Sequence, residues 1–238
     1  MYVSDMTLPP GQHRVDGFPR FGTHLHRPAP SVGADPALAI GGAVTEPVTF
    51  GLAGLSKLPR RTMTADFHCV AGWSATGLRW EGVPFATFYR EIVEPLVRPG
   101  AQVTHVVFGG LDGFQSRVCL EDAMADDVLI ADRLDGRPLD SDHGAPVRLV
   151  SPSQYGYISV KHLSRIEPRD VAPASDAPGA ASAIARVGLR TPLIRIHPRA
   201  RVWEEERHPD LPARLLRPVY RLLTPPIAFL SGRGSRKR

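Results

Sequence analysis

Residues 66–74 read Asp66-Phe67-His68-Cys69-Val70-Ala71-Gly72-Trp73-Ser74. A single thiol closes an apolar-rich run, and a Gly-Trp-Ser segment that must turn follows it at once. A thiolate in that position can act as a nucleophile or as a soft ligand to a metal. A free cysteine can equally be a small buried hydrophobe. Upstream, Arg60–Val70 carries Thr62, Thr64 and Phe67, which favour the extended state and deliver Cys69 at or near a strand end.

Downstream, Pro84 opens PFATFYREIVEPL, where Phe85, Phe88, Tyr89, Ile92 and Val93 recur at helical spacing. Proline suits a first helical turn, since its missing N–H has no intrahelical partner there. Further strands are expected at 37–44, 47–52, 102–108, 114–119 and 128–134, while 147–151 is a short apolar run and 163–167 closes the body. Short helical pieces are expected at 52–58 and 120–125, and Asp135-Gly136 reads as a hairpin turn. Strands separated by short, irregular helices do not make a regular βαβ array. They predict an α+β domain with a mixed sheet.

Around this body, residues 1–36 are rich in Pro, Gly and His and lack periodicity, which predicts an extended arm. Residues 37–168 form the body, 169–185 a Pro/Ala/Ser-rich linker, and 186–238 a basic tail. That tail holds 13 of the 29 Lys and Arg but 4 of the 24 Asp and Glu, leaving 16 against 20 for the first 185 residues. The high pI therefore belongs to the tail, and nothing in the body calls for nucleic acid. Asp210 can cap a helix beginning at Leu211 whose apolar positions fall on one arc, with a kink at Pro218. Such a tail can pack on the body, or dock on an acidic partner or an anionic membrane face.

Two cysteines, Cys69 and Cys119, exclude a disulfide framework and a four-cysteine zinc site, and Cys119 reads as core. The N-terminus lacks the apolar core of a secretory signal and no stretch approaches a membrane span, so a cytoplasmic protein is expected.

Three further clusters carry chemistry. They are Arg20-Phe21-Gly22-Thr23-His24-Leu25, Asp142-His143-Gly144-Ala145-Pro146-Val147-Arg148 and Tyr155-Gly156-Tyr157-Ile158-Ser159-Val160-Lys161. Imidazoles, a guanidinium, a hydroxyl and an ammonium beside glycines suit a phosphorylated, hydrogen-bond-rich cofactor. Together, in this order, FHCVAGWS…RWEGV, HVVFGGLDG, DHGAPVRLV and YGYISVKHLSRI resemble the molybdopterin-binding domain of the sulfite oxidase family, over about residues 20–168.

That resemblance implies a molybdenum held by one pterin dithiolene and by the thiolate of Cys69. It implies pterin or phosphate contacts from His143, Arg148, Ser159, Lys161, Asp112 and His24. It also implies two-electron oxo transfer on a small S- or N-centred substrate, with sulfite oxidation as another substrate reading. No C-x-x-C-H haem motif is present, so electrons are expected to pass to or from a separate partner protein. Trp73, Trp80, Tyr155 and Tyr157 either line the site's mouth or pack in the core, and His68 either contacts the site or is an ordinary surface residue. Two features depart from sulfite oxidases: Gly22-Thr23 stands where they carry Arg-Asn, and Ser74 where they carry another arginine. The competing class is a metal-free binding or thiol-redox module of the same fold.

Overall fold

The computed structural model describes residues 7–21, 28–170 and 197–235, with side chains as far as Leu230. Its centre is the hairpin of β4 (Arg61–His68) and β5 (Trp73–Pro84), joined by the turn that carries Cys69. The Cys69 N–H donates to the Trp73 carbonyl at 2.8 Å, and the Gly72 N–H returns to the Cys69 carbonyl at 2.9 Å. Gly72 sits at φ +96°, a conformation that L side chains rarely adopt, so the tight reversal depends on glycine there.

Around the hairpin, β1 (His13–Arg14) pairs parallel with the start of β5, and β8 (Leu129–Leu134) pairs antiparallel with its end. β9 (Arg137–Pro138) and β10 (Arg148–Val150) extend this six-stranded sheet through β8. A second sheet runs in the order β3 (Val48–Gly51), β2 (Ala37–Ile40), β11 (Leu163–Arg169), β6 (His105–Gly110), β7 (Gln115–Cys119). Only its β2–β11 pairing is parallel. The fold is α+β with mixed sheets, as the irregular strand spacing implies.

β6 is buried at five of its six positions, which is why His105–Gly110 reads as a nearly continuous apolar run. Phe108 of β6 meets Phe85 edge-on, with centroids 5.0 Å apart, at the start of α1 (Phe85–Phe88). The chain continues from α1 through a π turn to Val93 and a 3-10 turn to Leu96. A short α2 (Leu120–Ala123) follows β7. A smaller core of Trp73, Ala75, Trp80, Leu129 and Val150 packs beside Cys69.

Three expectations need correction. The twelve-residue β5 was not foreseen beyond a turn: Gly77 (φ +71°) and a register shift at Glu81/Gly82 interrupt its alternation, and eight of its positions are buried. Pro84 closes β5 and precedes α1 instead of starting it. The C-terminal helix, α3 (Ala213–Ser235), starts after Pro212 and runs on through Pro218, Pro225 and Pro226. The linker residues 171–185 and the first part of the tail, 186–196, lie outside the described residues.

Candidate functional site

Cys69 is 8% exposed, at the tip of the β4–β5 hairpin. Burial pushes its thiol up to about 12, against the pull of the Ala71 N–H and of the Arg207 and Lys161 charges. The turn is held from the arm: Gln12 Nε2 donates to the Cys69 carbonyl at 3.1 Å. Gln12 Oε1 accepts from Ser74 Oγ at 3.1 Å, and that hydroxyl lies 2.8 Å from His68 Nδ1. His68 is buried, and desolvation lowers its pKa, so the ring beside the thiol is a neutral, fixed group rather than a surface histidine.

The segment 155–161 is laid against this turn. The Gly156 N–H donates to the His68 carbonyl at 2.7 Å. A Cβ on Gly156 would stand 2.1 Å from the Phe67 ring, so only glycine lets the two segments approach this closely. From there the chain delivers Ser159 and Lys161. Ser159 Oγ accepts the Ser151 N–H at 3.1 Å, and Lys161 Nζ donates to the Asp142 carbonyl at 2.7 Å.

Arg148 is fully buried. Its guanidinium donates to the carbonyls of Leu149, His143 and Ser159 at 3.3, 3.0 and 3.1 Å. It also lies among the rings of Phe18, Phe67 and Trp80, 5.7, 5.4 and 5.2 Å from their centroids. Burial drives its pKa down to about 9. Arg148 thus binds the His143 loop to the Ser159 segment and stiffens the wall from behind.

His143 sets one ring nitrogen 2.8 Å from Asp140 Oδ1 and the other 2.8 Å from the Phe18 carbonyl. Burial alone would raise Asp140, but the ring and backbone N–H groups of His143 outweigh it and hold the carboxyl below its ordinary range. Asp112 caps its own turn, accepting the Phe114 N–H at 3.0 Å, while the Leu111 N–H donates to the His162 carbonyl next to Lys161. His143, Arg148, Ser159, Lys161 and Asp112 are therefore brought to one region. His24 lies outside the described residues.

The sequence allows the C-terminal segment to pack on the body but does not single out the residue that closes the Cys69 turn. Arg207 is 1% exposed, donates to the Val70 carbonyl and lies 4.9 Å over the Tyr155 ring. Thr224 Oγ1 of α3 donates to the Tyr220 carbonyl at 2.8 Å and lies 3.4 Å from the Ala71 carbonyl. Nothing local in EEERHPD marks Arg207 as buried among the basic residues of the tail. Trp73, Trp80 and Tyr155 are core side chains and Tyr157 is half-buried. Cys119, expected in the core, ends β7 half-buried.

Residues 26–176 match the sequence pattern of the oxidoreductase molybdopterin binding domain. The chain belongs to this family. Among its relatives is a putative protein-methionine-sulfoxide reductase subunit, YedZ1, of Azospira oryzae, 30% identical over 54% of this chain and 47% of that protein. The catalytic subunit MsrP of a protein-methionine-sulfoxide reductase from Pseudomonas syringae is 28% identical over 79% of this chain and 62% of that protein. The sulfane dehydrogenase SoxCD of Paracoccus pantotrophus matches in structure with a TM-score of 0.51 and 26% identity, over 60% of this chain and 41% of that one. The chain thus spans roughly half to three fifths of the length of these curated relatives.

The protein is an enzyme of the molybdopterin-dependent oxidoreductases, and molybdopterin is its cofactor. Its residues fit that group. Lys161, buried beside Arg148 and Arg20, has its pKa pushed down to about 7, so the region carries a concentration of positive charge that an anion would relieve. The soft donor Cys69 stands on the adjoining turn, with the Lys161 charge acting on its thiol. A phosphorylated group bearing a soft-ligated metal matches both halves.

Proposed function

We propose that this enzyme catalyses two-electron oxo transfer on a small S-centred substrate and exchanges the electrons with a separate partner protein. The observation that carries the reading is the juxtaposition of the buried Cys69 turn with the cationic wall of Arg148 and Lys161. The relatives named for methionine sulfoxide and for sulfane support sulfur as the reacting centre, and a nitrate reductase of Neurospora crassa among the relatives is the counterpart for nitrogen.

Cys69 supplies the thiolate to the metal. Lys161 would grip the pterin phosphate, with Arg148 fixing the wall behind it and Ser159, His143 and Asp112 shaping that wall. When bound, the molybdenum cofactor supplies the two-electron oxo-transfer chemistry. Gln12, Ser74 and His68 keep the turn in one conformation, and Arg207 and Thr224 close it off from water on the side of α3. The reading keeps the protein in the cytoplasm, where its two free thiols stay reduced.

The test is Cys69→Ser, which exchanges a soft thiolate for a hard hydroxyl. The expected result is a folded protein that retains pterin, loses turnover of S-oxides and changes its metal-centred absorption. Cys119→Ser should match the wild type. Wild-type turnover by Cys69→Ser would overturn the assignment.

A further inference from the structure

The helix that closes over the Cys69 turn has a second, opposite face. Among the described residues, seven large hydrophobic side chains are exposed, and four of them, Leu215, Val219, Leu222 and Phe229, lie on α3. Leu222 is 78% and Leu215 65% exposed. The sequence alone groups these residues with Leu216 and Leu223 in a single apolar arc. The structure divides that arc. Leu216 is 2% exposed and Leu223 half-buried, while Leu215, Val219 and Leu222 point away from the domain.

At about 100° per residue, Leu215, Val219 and Leu222 fall within a sector of roughly 60°. Arg214 and Arg221 are exposed and stand together on one flank of that strip. Arg217 points the other way, and Glu205 engages it at 2.7 Å through both carboxylate oxygens. The outer face therefore keeps only its positive charges, and between Leu211 and Arg238 the sequence holds no Asp or Glu. No helix among the described residues is long and apolar enough to cross a membrane.

We propose that the outer face of α3 docks on an anionic phospholipid surface, with the leucine strip in the acyl boundary and the arginines among the headgroups. A convex ridge of exposed leucines flanked by arginines is what a bilayer interface accepts without shape complementarity. Anionic lipid answers the exposed charge of Arg214 and Arg221. A folded acidic partner would answer the arginines but would also need a groove matched to the ridge. Because Thr224 on the inner side of the same helix reaches the Ala71 carbonyl, docking holds the Cys69 end of the domain close to the lipid.

The experiment is co-sedimentation of the full, cofactor-loaded chain with phosphatidylcholine vesicles, with and without phosphatidylglycerol, at low and high salt. The wild type should bind only the phosphatidylglycerol vesicles, and salt should release it. Arg214→Gln with Arg221→Gln should weaken binding about 25-fold, at roughly fivefold per arginine. Leu215→Ser with Leu222→Ser should weaken it by at least about tenfold even at low salt. Both double variants should keep their molybdenum content and Tm, since these side chains lie on the solvent side. Brominated lipid should quench the added fluorescence of Leu222→Trp, which reads insertion without removing apolar surface. Four results would each overturn the proposal: no vesicle binding by the wild type, undiminished binding by both double variants, no quenching, or retention on a polyglutamate resin without vesicle binding.

Discussion

Lys161 offers a direct measurement of how the cofactor is held. Burial, with Arg148 and Arg20 nearby, lowers its pKa from 10.5 to about 7. The folded value lies below the unfolded one, so between these two the unfolded chain holds a proton that the folded apo chain has lost. Apo-protein stability therefore rises as pH climbs through that window, and the cost of burying the ammonium is felt in full below it. Cofactor binding has the opposite dependence. A phosphate needs the ammonium form, so above about pH 7 binding must take up a proton, and Kd should rise about tenfold per pH unit. At about pH 9 only about one apo molecule in a hundred carries the charge, a penalty of about 2.7 kcal/mol. The phosphate is already close to its dianion above about pH 7, since its second ionisation falls near 6, so it adds little to the slope. The assay is anaerobic binding of purified cofactor to apo protein across this range, with the retained pterin quantified by fluorescence after oxidation. Lys161→Met should bind weakly and without the slope. A wild-type Kd that stays constant over the range, or a Lys161→Met variant with the wild-type slope, would refute the assignment of Lys161 to the phosphate.

Two further outcomes follow from the same walls. Arg148→Ala leaves three carbonyls without their donor and a void among Phe18, Phe67 and Trp80. It should cost about 3 kcal/mol or more, read as a lower urea midpoint of the apo protein, and an unchanged midpoint would show that the guanidinium is not organising the wall. Deleting residues 197–238 removes Arg207 and Thr224 from the Cys69 turn. Cys69 of the apo protein should then react with a thiol reagent at a rate near that of an exposed cysteine. Slow reaction, as in the full chain, would mean that the turn is closed without the C-terminal segment.

How much of this was legible in the sequence depends on the range over which each feature is determined. Strands β6 and β8 announce themselves by local runs of β-branched and apolar residues, and Asp135-Gly136 by its turn chemistry. β5 does not: its burial comes from β1, β4 and β8 packed along it, and its glycines break the alternation that a local reading needs. The site shows the same division. Cys69, His143, Arg148 and Lys161 sit in short motifs whose order along the chain is informative. That Arg148 turns its guanidinium onto the Ser159 carbonyl, or that Gln12 reaches the Cys69 carbonyl, depends on contacts across 11 and 57 residues.

The C-terminal segment shows why composition misleads about function when it is read without packing. Its surplus of arginine suggests one uniform basic tail, yet its arginines do different work. Arg207 is buried against Tyr155 and fixes the Val70 carbonyl, and Arg217 is neutralised by Glu205. Arg199 reaches across to Asp122 at 2.9 Å through Nε and ties the segment to α2. Only Arg214 and Arg221, among the described helical positions, remain exposed on the outer side of α3. Thr224, which reaches the Cys69 turn, and the outward-facing Leu215 and Leu222 therefore belong to one helix. A substitution on its outer face should change where the enzyme resides before it changes what Cys69 holds.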